Sequence, residues 1–212
     1  MLSLIDLSCA RGDRVLFSGA NLVLASGEAL YVTGANGAGK TSLLRLIAGL
    51  AVPEHGEVCW RGESIRKLRE EYAHHLLFLG HAAALKDELS ATENLVISAA
   101  ISGRHLTETD AIVALRQFGL KGREDLPTRV LSAGQRRRVN LARLVLPEVP
   151  SLWVLDEPFV ALDVKAVAQL SGVLSGHLGR GGMLVYTTHQ DVAFPDCAIR
   201  KMSIDGGKVS LC

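Results

Sequence analysis

Apolar residues recur along this chain in short runs of strand length, several of them continuous rather than alternating with polar residues. The runs occupy residues 2–7, 29–34, 76–80, 152–156 and 183–188. Strands that are buried on both faces of a mostly parallel sheet have this pattern. Apolar residues with helical spacing occupy residues 40–50, 107–120 and 163–178. Together these segments predict an α/β fold.

Two ends of the chain and one middle segment deviate from this pattern. Near the start, turns at Gly12-Asp13 and Ser26-Gly27 separate short strands that we predict to be antiparallel. Residues 204–211 predict a hairpin. The segment from roughly 82 to 130 lacks strand runs, so we expect a smaller helical subdomain there, inserted between two core strands. We expect residues 1–212 to form one domain around this insertion.

Charge and composition exclude several classes of partner. The formal net charge of the 212 residues is +1, which argues against nucleic acid as a main partner. No run of ~18 apolar residues occurs that would span a bilayer, although 48% of the residues are hydrophobic. The start lacks a signal-peptide pattern, and the cysteines have no C-x-x-C spacing, so we expect thiols in a reducing compartment. These cysteines are Cys9, Cys59, Cys197 and Cys212.

The segment "GANGAGKT", residues 34–41, is a phosphate loop between a predicted strand and a predicted helix. Glycines let consecutive N–H groups face phosphate oxygens, a lysine bridges the β- and γ-phosphates, and a hydroxyl binds Mg²⁺. The residues expected to contact ATP and its Mg²⁺ here are Gly34, Ala35, Asn36, Gly37, Ala38, Gly39, Lys40, Thr41 and Ser42. We also predict that Lys40 is a catalytic residue and that Thr41 is a metal ligand.

Hydrolysis also needs a carboxylate for the metal and a group that activates water. "SLWVLDEPFVALD" places Asp156 and Glu157 at the carboxyl end of a buried strand, beside the phosphate loop in an open α/β sheet. We predict that Asp156 is the Mg²⁺ partner through water, and that Glu157 is the general base. His189 ends the next strand at the same edge, from which its imidazole could reach the γ-phosphate.

A second anion-binding helix start is predicted at "LSAGQRRRVNLAR", residues 131–143, because N–H groups at a helix start face anions. The run Arg136 to Arg138 within it has two interpretations. The first is the solvated face of a helix, and the second is that one of these arginines helps to neutralise a phosphate.

The order "GANGAGKT", "LSAGQ", "LWVLDE", "ALD" and "H" resembles the ATP-binding subunits of ABC transporters over nearly the whole chain. The resemblance implies two ATP-binding subunits packed head to tail, with each ATP between the phosphate loop of one and the "LSAGQ" segment of the other. It implies that Ser132, Gly134 and Gln135 contact the partner's nucleotide and that Asp163 lies at the interface. It also implies a separate transmembrane permease, since no span is present here.

Two positions depart from the pattern of that family. His81 stands where the family has a metal-binding Gln, so we expect it to approach the metal. Arg11 stands where the family has an aromatic residue that stacks on adenine. Three possibilities remain open there: stacking by the Arg11 guanidinium, substitution by Phe17, or an adenine that is held loosely.

The stretch "LGHAAALKDELSATENL", residues 79–95, and the Arg-Gly pair near the start resemble the ATP-binding subunits of cytochrome c maturation systems. This narrower resemblance implies haem export, or release of a haem-loaded chaperone, at the cytoplasmic side of a bacterial inner membrane. The alternatives are an ABC subunit for lipid, peptide or drug, and a soluble ABC ATPase without a membrane partner.

Overall fold

The fold is taken from a computed structural model that describes residues 1–190, 192 and 197–211. The strands are β1 Leu2–Arg11, β2 Arg14–Leu24, β3 Glu28–Gly34, β4 His55–Trp60, β5 Glu63–Ser64, β6 Leu76–Leu79, β7 Leu152–Leu155, β8 Met183–Thr187, β9 Ala198–Asp205 and β10 Lys208–Leu211. The helices are α1 Lys40–Ile47, α2 Ile65–Leu68, α3 Glu70–His75, α4 Ala91–Ile101, α5 Glu108–Gln117, α6 Ala133–Leu141 and α7 Val164–Gly179, with 3₁₀ turns at Thr128–Val130 and Ala142–Val145.

The strands are hydrogen-bonded in the order β5-β4-β1-β2-β10-β9-β3-β8-β7-β6. At one end, β1, β2, β4 and β5 pair antiparallel. At the other end, β9, β3, β8, β7 and β6 pair parallel. Their carboxyl ends therefore meet at one edge of the sheet, and the phosphate loop leaves β3 at that edge.

Strand β7 shows why the apolar runs are continuous. Trp153 and Leu155 pack in a core with α4, α5 and α7 on one face of the sheet. Leu152 and Val154 pack on the other face in a second core, which the antiparallel strands and α1 complete. Because both faces are covered, no position along this strand can be polar.

The structure confirms the α/β fold, the antiparallel strands near the start and the hairpin at the end. The turns fall between Arg11 and Arg14 and between Leu24 and Glu28. Strands β4 and β5 and helices α2 and α3 were not predicted, because polar and apolar residues are mixed there without a clear period. The segment 82–130 contains α4, α5 and the turn Thr128–Val130, and its separate status as a subdomain remains a prediction.

Two further findings concern the cysteines and the length of the helices. Cys9 and Cys59 are buried, as expected for small apolar side chains, while Cys197 is half-buried and Cys212 lies outside the described residues. Among the described residues, no helix has both the length and the apolar character that crossing a membrane requires.

Candidate nucleotide-binding site

The phosphate loop wraps from the end of β3 to the start of α1 through left-handed backbone conformations. Gly34 has φ 145°, and a Cβ there would lie 2.4 Å from the carbonyl oxygen of Ile204. Gly39 has φ 113°, and a Cβ there would lie 3.2 Å from Phe17 Cδ1. Gly39 caps α1 without any side-chain hydrogen bond, so the first N–H groups of the helix are left for an anion.

Lys40 and Thr41 turn toward the carboxylates and the loop from the first turn of α1. Lys40 Nζ donates to the carbonyl oxygens of Gly34, at 2.8 Å, and Ala35, at 3.2 Å. This holds the ammonium group over the loop. Thr41 Oγ1 donates to Asp156 Oδ2 at 2.8 Å, which joins the loop to the end of β7.

The Asp156 carboxylate and the Glu157 backbone are held by Thr187, which was not predicted from the sequence. Thr187, at the end of β8, donates from Oγ1 to Asp156 Oδ1 at 2.7 Å and accepts from the Glu157 backbone N–H at 2.9 Å. Both carboxylic residues are largely buried, with exposed fractions of 3% for Asp156 and 9% for Glu157. The only sequence signal for Thr187 was its place before the strand-end histidine.

Glu157 adopts a left-handed backbone conformation with φ 51°, which is uncommon for a residue with a side chain and is found at functional sites. Glu157 Oε2 accepts from the His189 backbone N–H at 3.2 Å. Glu157 Oε1 lies 3.3 Å from His189 Nε2, within ion-pair distance but not aligned for a hydrogen bond. The His189 side chain is 60% exposed and borders the cleft.

An open cleft of about 910 Å³ brings together most of the residues predicted around the phosphate loop, but not Ser132, Gly134 or Gln135. Its walls include Arg11, Asn36, Gly37, Gly39, Lys40, Thr41, Ser42, His81, Asp156, Glu157 and His189. The Thr41 hydroxyl and the Asp156 carboxylate meet in it. These are hard oxygen donors of the kind that Mg²⁺ takes, so the residues present fit that ion.

The second helix start has a different geometry. Ser132 caps α6, and its hydroxyl accepts from the Gln135 N–H at 3.3 Å. In return Gln135 Oε1 accepts from the Ser132 N–H at 3.0 Å, which closes a capping box. Gly134 packs so tightly that a Cβ there would lie 3.1 Å from the carbonyl oxygen of Ala161.

Asp163 caps α7 by accepting from the Ala166 N–H at 2.8 Å. Its other oxygen forms a 2.5 Å ion pair with Arg138 of α6. The Ala166 N–H, and to a lesser degree Arg138, lower the pKa of the Asp163 carboxyl below its usual value. Asp163 is therefore a charged group that joins α6 to the loop after Glu157.

Two expectations need correction. Phe17 was one of three possibilities for holding adenine, but its ring is fully buried beneath Gly39 and offers no face to a base. Arg11 is exposed and borders the cleft, so its stacking remains a prediction. The interpretation of Arg136 to Arg138 as a solvated helix face is also wrong, since Arg137 is only 7% exposed and the other two form ion pairs.

Comparisons with known proteins agree with this geometry. Residues 17–160 match the family described as "ABC transporter". The chain is 52% identical over 204 residues to the cytochrome c biogenesis ATP-binding export protein CcmA of Dechloromonas aromatica (strain RCB), covering 96% of this chain and 100% of that protein. It is 47% identical over 211 residues to CcmA 2 of Salmonella paratyphi A (strain ATCC 9150 / SARB42), covering 100% of both.

Solved structures give the same fold. The ATP-binding subunit of an ABC transporter superposes with a TM-score of 0.86 at 26% identity, covering 100% of this chain and 89% of the other. A dimeric ATP-binding cassette bound to ADP and Pi superposes with a TM-score of 0.85 at 23% identity, covering 99% of this chain and 97% of the other.

The phosphate loop, the carboxylates at the neighbouring strand ends and the matched family define a nucleotide-binding ABC ATPase. This chain belongs to the ABC transporter family, as an ATP-hydrolysing subunit, and it is similar over nearly its whole length to CcmA proteins.

Proposed function

We propose that this chain hydrolyses ATP as one of two head-to-tail copies that drive a separate membrane permease in cytochrome c biogenesis. One observation supports the proposed dimer: a single chain has two helix starts suited to anions, at Lys40 and at Ser132. Only the first borders the cleft that contains Asp156 and Glu157. A second copy would supply Ser132, Gly134 and Gln135 to the γ-phosphate of the nucleotide in the first.

In this dimer each group of cleft residues has a different role. The N–H groups of the phosphate loop and the Lys40 ammonium bind the β- and γ-phosphates. Thr41 and Asp156 would hold Mg²⁺, which spreads the phosphate charge when the nucleotide is bound. Glu157 accepts a proton from the attacking water, and His189 contacts the γ-phosphate from the exposed side.

His81 borders the same cleft at the end of β6, where we propose that it approaches the metal and its water. Asp163 would face the second copy and couple the two sites, because it is exposed and joins α6 to α7. Loss of the γ-phosphate would remove the anion shared by the two copies, so that hydrolysis opens the dimer.

The permease would convert this opening into movement of its cargo. The names of the two CcmA relatives, at 52% and 47% identity, support cytochrome c biogenesis as the process. We propose haem, or a haem-loaded chaperone reached through the permease, as the cargo. The chain would then lie at the cytoplasmic face of a bacterial inner membrane as a peripheral subunit, without binding nucleic acid.

Replacement of the general base tests the catalytic part of this proposal. Glu157→Gln should lower ATP turnover at least ~100-fold, because a buried amide accepts no proton, and it should trap an ATP-bound dimer. Turnover is measured by phosphate release and the dimer by light scattering with MgATP. The exposed Glu88→Gln variant is the control and should behave as the wild type. Unchanged turnover in Glu157→Gln would refute the role of the base.

Co-purification with the membrane subunit tests the biological part. The chain should fractionate with membranes only when that subunit is co-expressed, and the haem-loaded chaperone should raise the ATPase rate of the complex. Stimulation by lipid, peptide or drug instead would identify a different cargo. A full ATPase rate without any membrane partner would favour a soluble ABC ATPase.

A further inference from the structure

Arg137 lies in the second turn of α6, where its side chain is buried against the carboxyl ends of strands β6 and β7. Its Nη1 donates to the carbonyl oxygen of Gly80 at 3.2 Å. Its Nη2 donates to the carbonyl oxygens of Asp156, at 3.1 Å, and Glu157, at 2.7 Å. Burial of a guanidinium is costly unless its N–H groups are bonded, and the bonds from Nη1 and Nη2 offset part of this cost. Arg137 Nε is buried and has no hydrogen-bond partner among the described residues.

Two of the three bonds end on the backbone of residues with a proposed chemical role, and the third ends on the residue before His81. Gly80 directly precedes His81, and the other two carbonyls belong to the metal partner and the general base. Glu157 has a strained backbone, with its N–H bound to Thr187 and its carbonyl bound to Arg137. The peptide on each side of this residue is thereby held from a different element.

Helix α6 is joined to three parts of the molecule by three consecutive arginines. Arg136 pairs with Asp87 at 2.7 Å and donates to the Thr128 carbonyl, in the segment 82–130. Arg138 pairs with Asp163 in the loop before α7. Arg137, between them, reaches the strand ends. Because helical residues project about 100° apart, one rigid helix presents all three contacts at once.

We infer that Arg137 is a positioning residue for hydrolysis, which holds Glu157 in a place set by the helix that begins at Ser132. Along the axis of α6, Ser132 and Arg137 are only about 7.5 Å apart, because each helical residue rises 1.5 Å. The inference rests on the proposed function, in which Ser132 receives the partner's γ-phosphate. Occupation of the second helix start then aligns the general base of the first site through α6.

Kinetics of the full-length chain in its complex with the membrane subunit test this inference. Arg137→Met should lower kcat about 100-fold and Arg137→Lys about 10-fold, as expected when a reacting group is displaced by about 1 Å. The Kd for MgATP and the KM should stay within threefold of wild type, because none of the three hydrogen bonds of Arg137 goes to the phosphate loop. Arg129→Met, at an exposed position of the nearby 3₁₀ turn, is the control and should keep kcat within threefold.

A merely structural role would give a different pattern, which a double-mutant cycle detects. Glu157→Asp keeps a carboxylate but withdraws it, so it should retain a measurable rate. If Arg137 acts through Glu157, then Arg137→Lys combined with Glu157→Asp should lose less than the product of the two single losses. Circular dichroism and melting confirm folding, and Arg137→Lys carries the test if Arg137→Met does not fold.

Three results would overturn the inference: wild-type kcat in Arg137→Lys and Arg137→Met, a parallel fall in MgATP affinity, or multiplicative losses in the double variant. Failure of the proposed function is recognised separately. It would show as wild-type turnover in Glu157→Gln, independent of anything that happens at Arg137.

Discussion

The two helix starts of this chain differ in what occupies their N–H groups. Helix α1 begins after Gly39, whose backbone caps the helix with no side chain. Helix α6 begins after Ser132, which forms a closed capping box with Gln135. The first start is therefore open to phosphate as it stands. At the second, a phosphate must compete with hydrogen bonds that the chain already makes to itself.

This difference teaches why the two sites can act in sequence. A capped helix start is stable by ~1 kcal/mol relative to an uncapped one, so α6 needs no ligand to fold. The phosphate loop depends on glycines and on the Lys40 ammonium, and it is complete within one chain. We therefore expect ATP to bind first at α1, and the partner's α6 to engage only when the two copies approach.

The largest effect is expected at the open start. Lys40→Ala should weaken MgATP binding roughly 10- to 100-fold, because a charge-assisted hydrogen bond contributes about 1.5–3 kcal/mol. Titration of the purified chain with a fluorescent ATP analogue measures this loss. Lys67→Ala, at an exposed position of α2, should bind as the wild type. Retained affinity in Lys40→Ala would show that the loop binds phosphate without this lysine, and the contrast between the starts would fail.

A smaller effect is expected at the capped start. Ser132→Ala should leave the MgATP affinity of the single chain unchanged, and it should lower turnover of the complex about 10-fold by removing one bond to the partner's phosphate. Ser90→Ala is the matched control, since Ser90 and Glu93 form the same capping box at α4. Both variants should lose ~1 kcal/mol of stability, but only Ser132→Ala should lose turnover. Equal turnover in the two variants would reduce Ser132 to a helix cap.

The smallest effect on nucleotide binding at either helix start is expected from a substitution of His177 in α7. Its ring stacks on Trp153 with centroids 3.7 Å apart, Nε2 donates to the Met183 carbonyl, and burial lowers its pKa to about 4. The unfolded chain then binds more protons than the folded one between the ordinary pKa near 6.5 and about 4. Stability present above pH 6.5 is lost as the pH falls through this window, by about 3 kcal/mol in total.

His177→Phe should remove most of this acid sensitivity, and it should leave MgATP affinity at pH 7 unchanged. Urea unfolding of both proteins between pH 7 and pH 4 measures the two slopes. Parallel slopes would mean that other groups cause the loss of stability in acid.

Prediction from sequence reached furthest where one short segment contains both the local structure and the candidate site residues, whose roles remain predictions. Strand β3, the phosphate loop and α1 are contiguous, so Gly34, Lys40 and Thr41 were assigned together. Prediction was incomplete where partners lie far apart along the chain. Thr187 and Arg137 bond to Asp156 and Glu157 across 19 to 31 residues, and no local pattern reports such a contact.

By itself, the sequence determined the α/β class and the family, and it supplied the candidate phosphate-binding and acidic residues, because apolar period, glycine spacing and strand-end carboxylates are local properties. Tertiary structure alone decided that Phe17 is buried under the loop and that the three arginines of α6 contact three different parts of the molecule. These depend on which surfaces meet after folding, and side-chain direction is set by that packing rather than by neighbours in the chain.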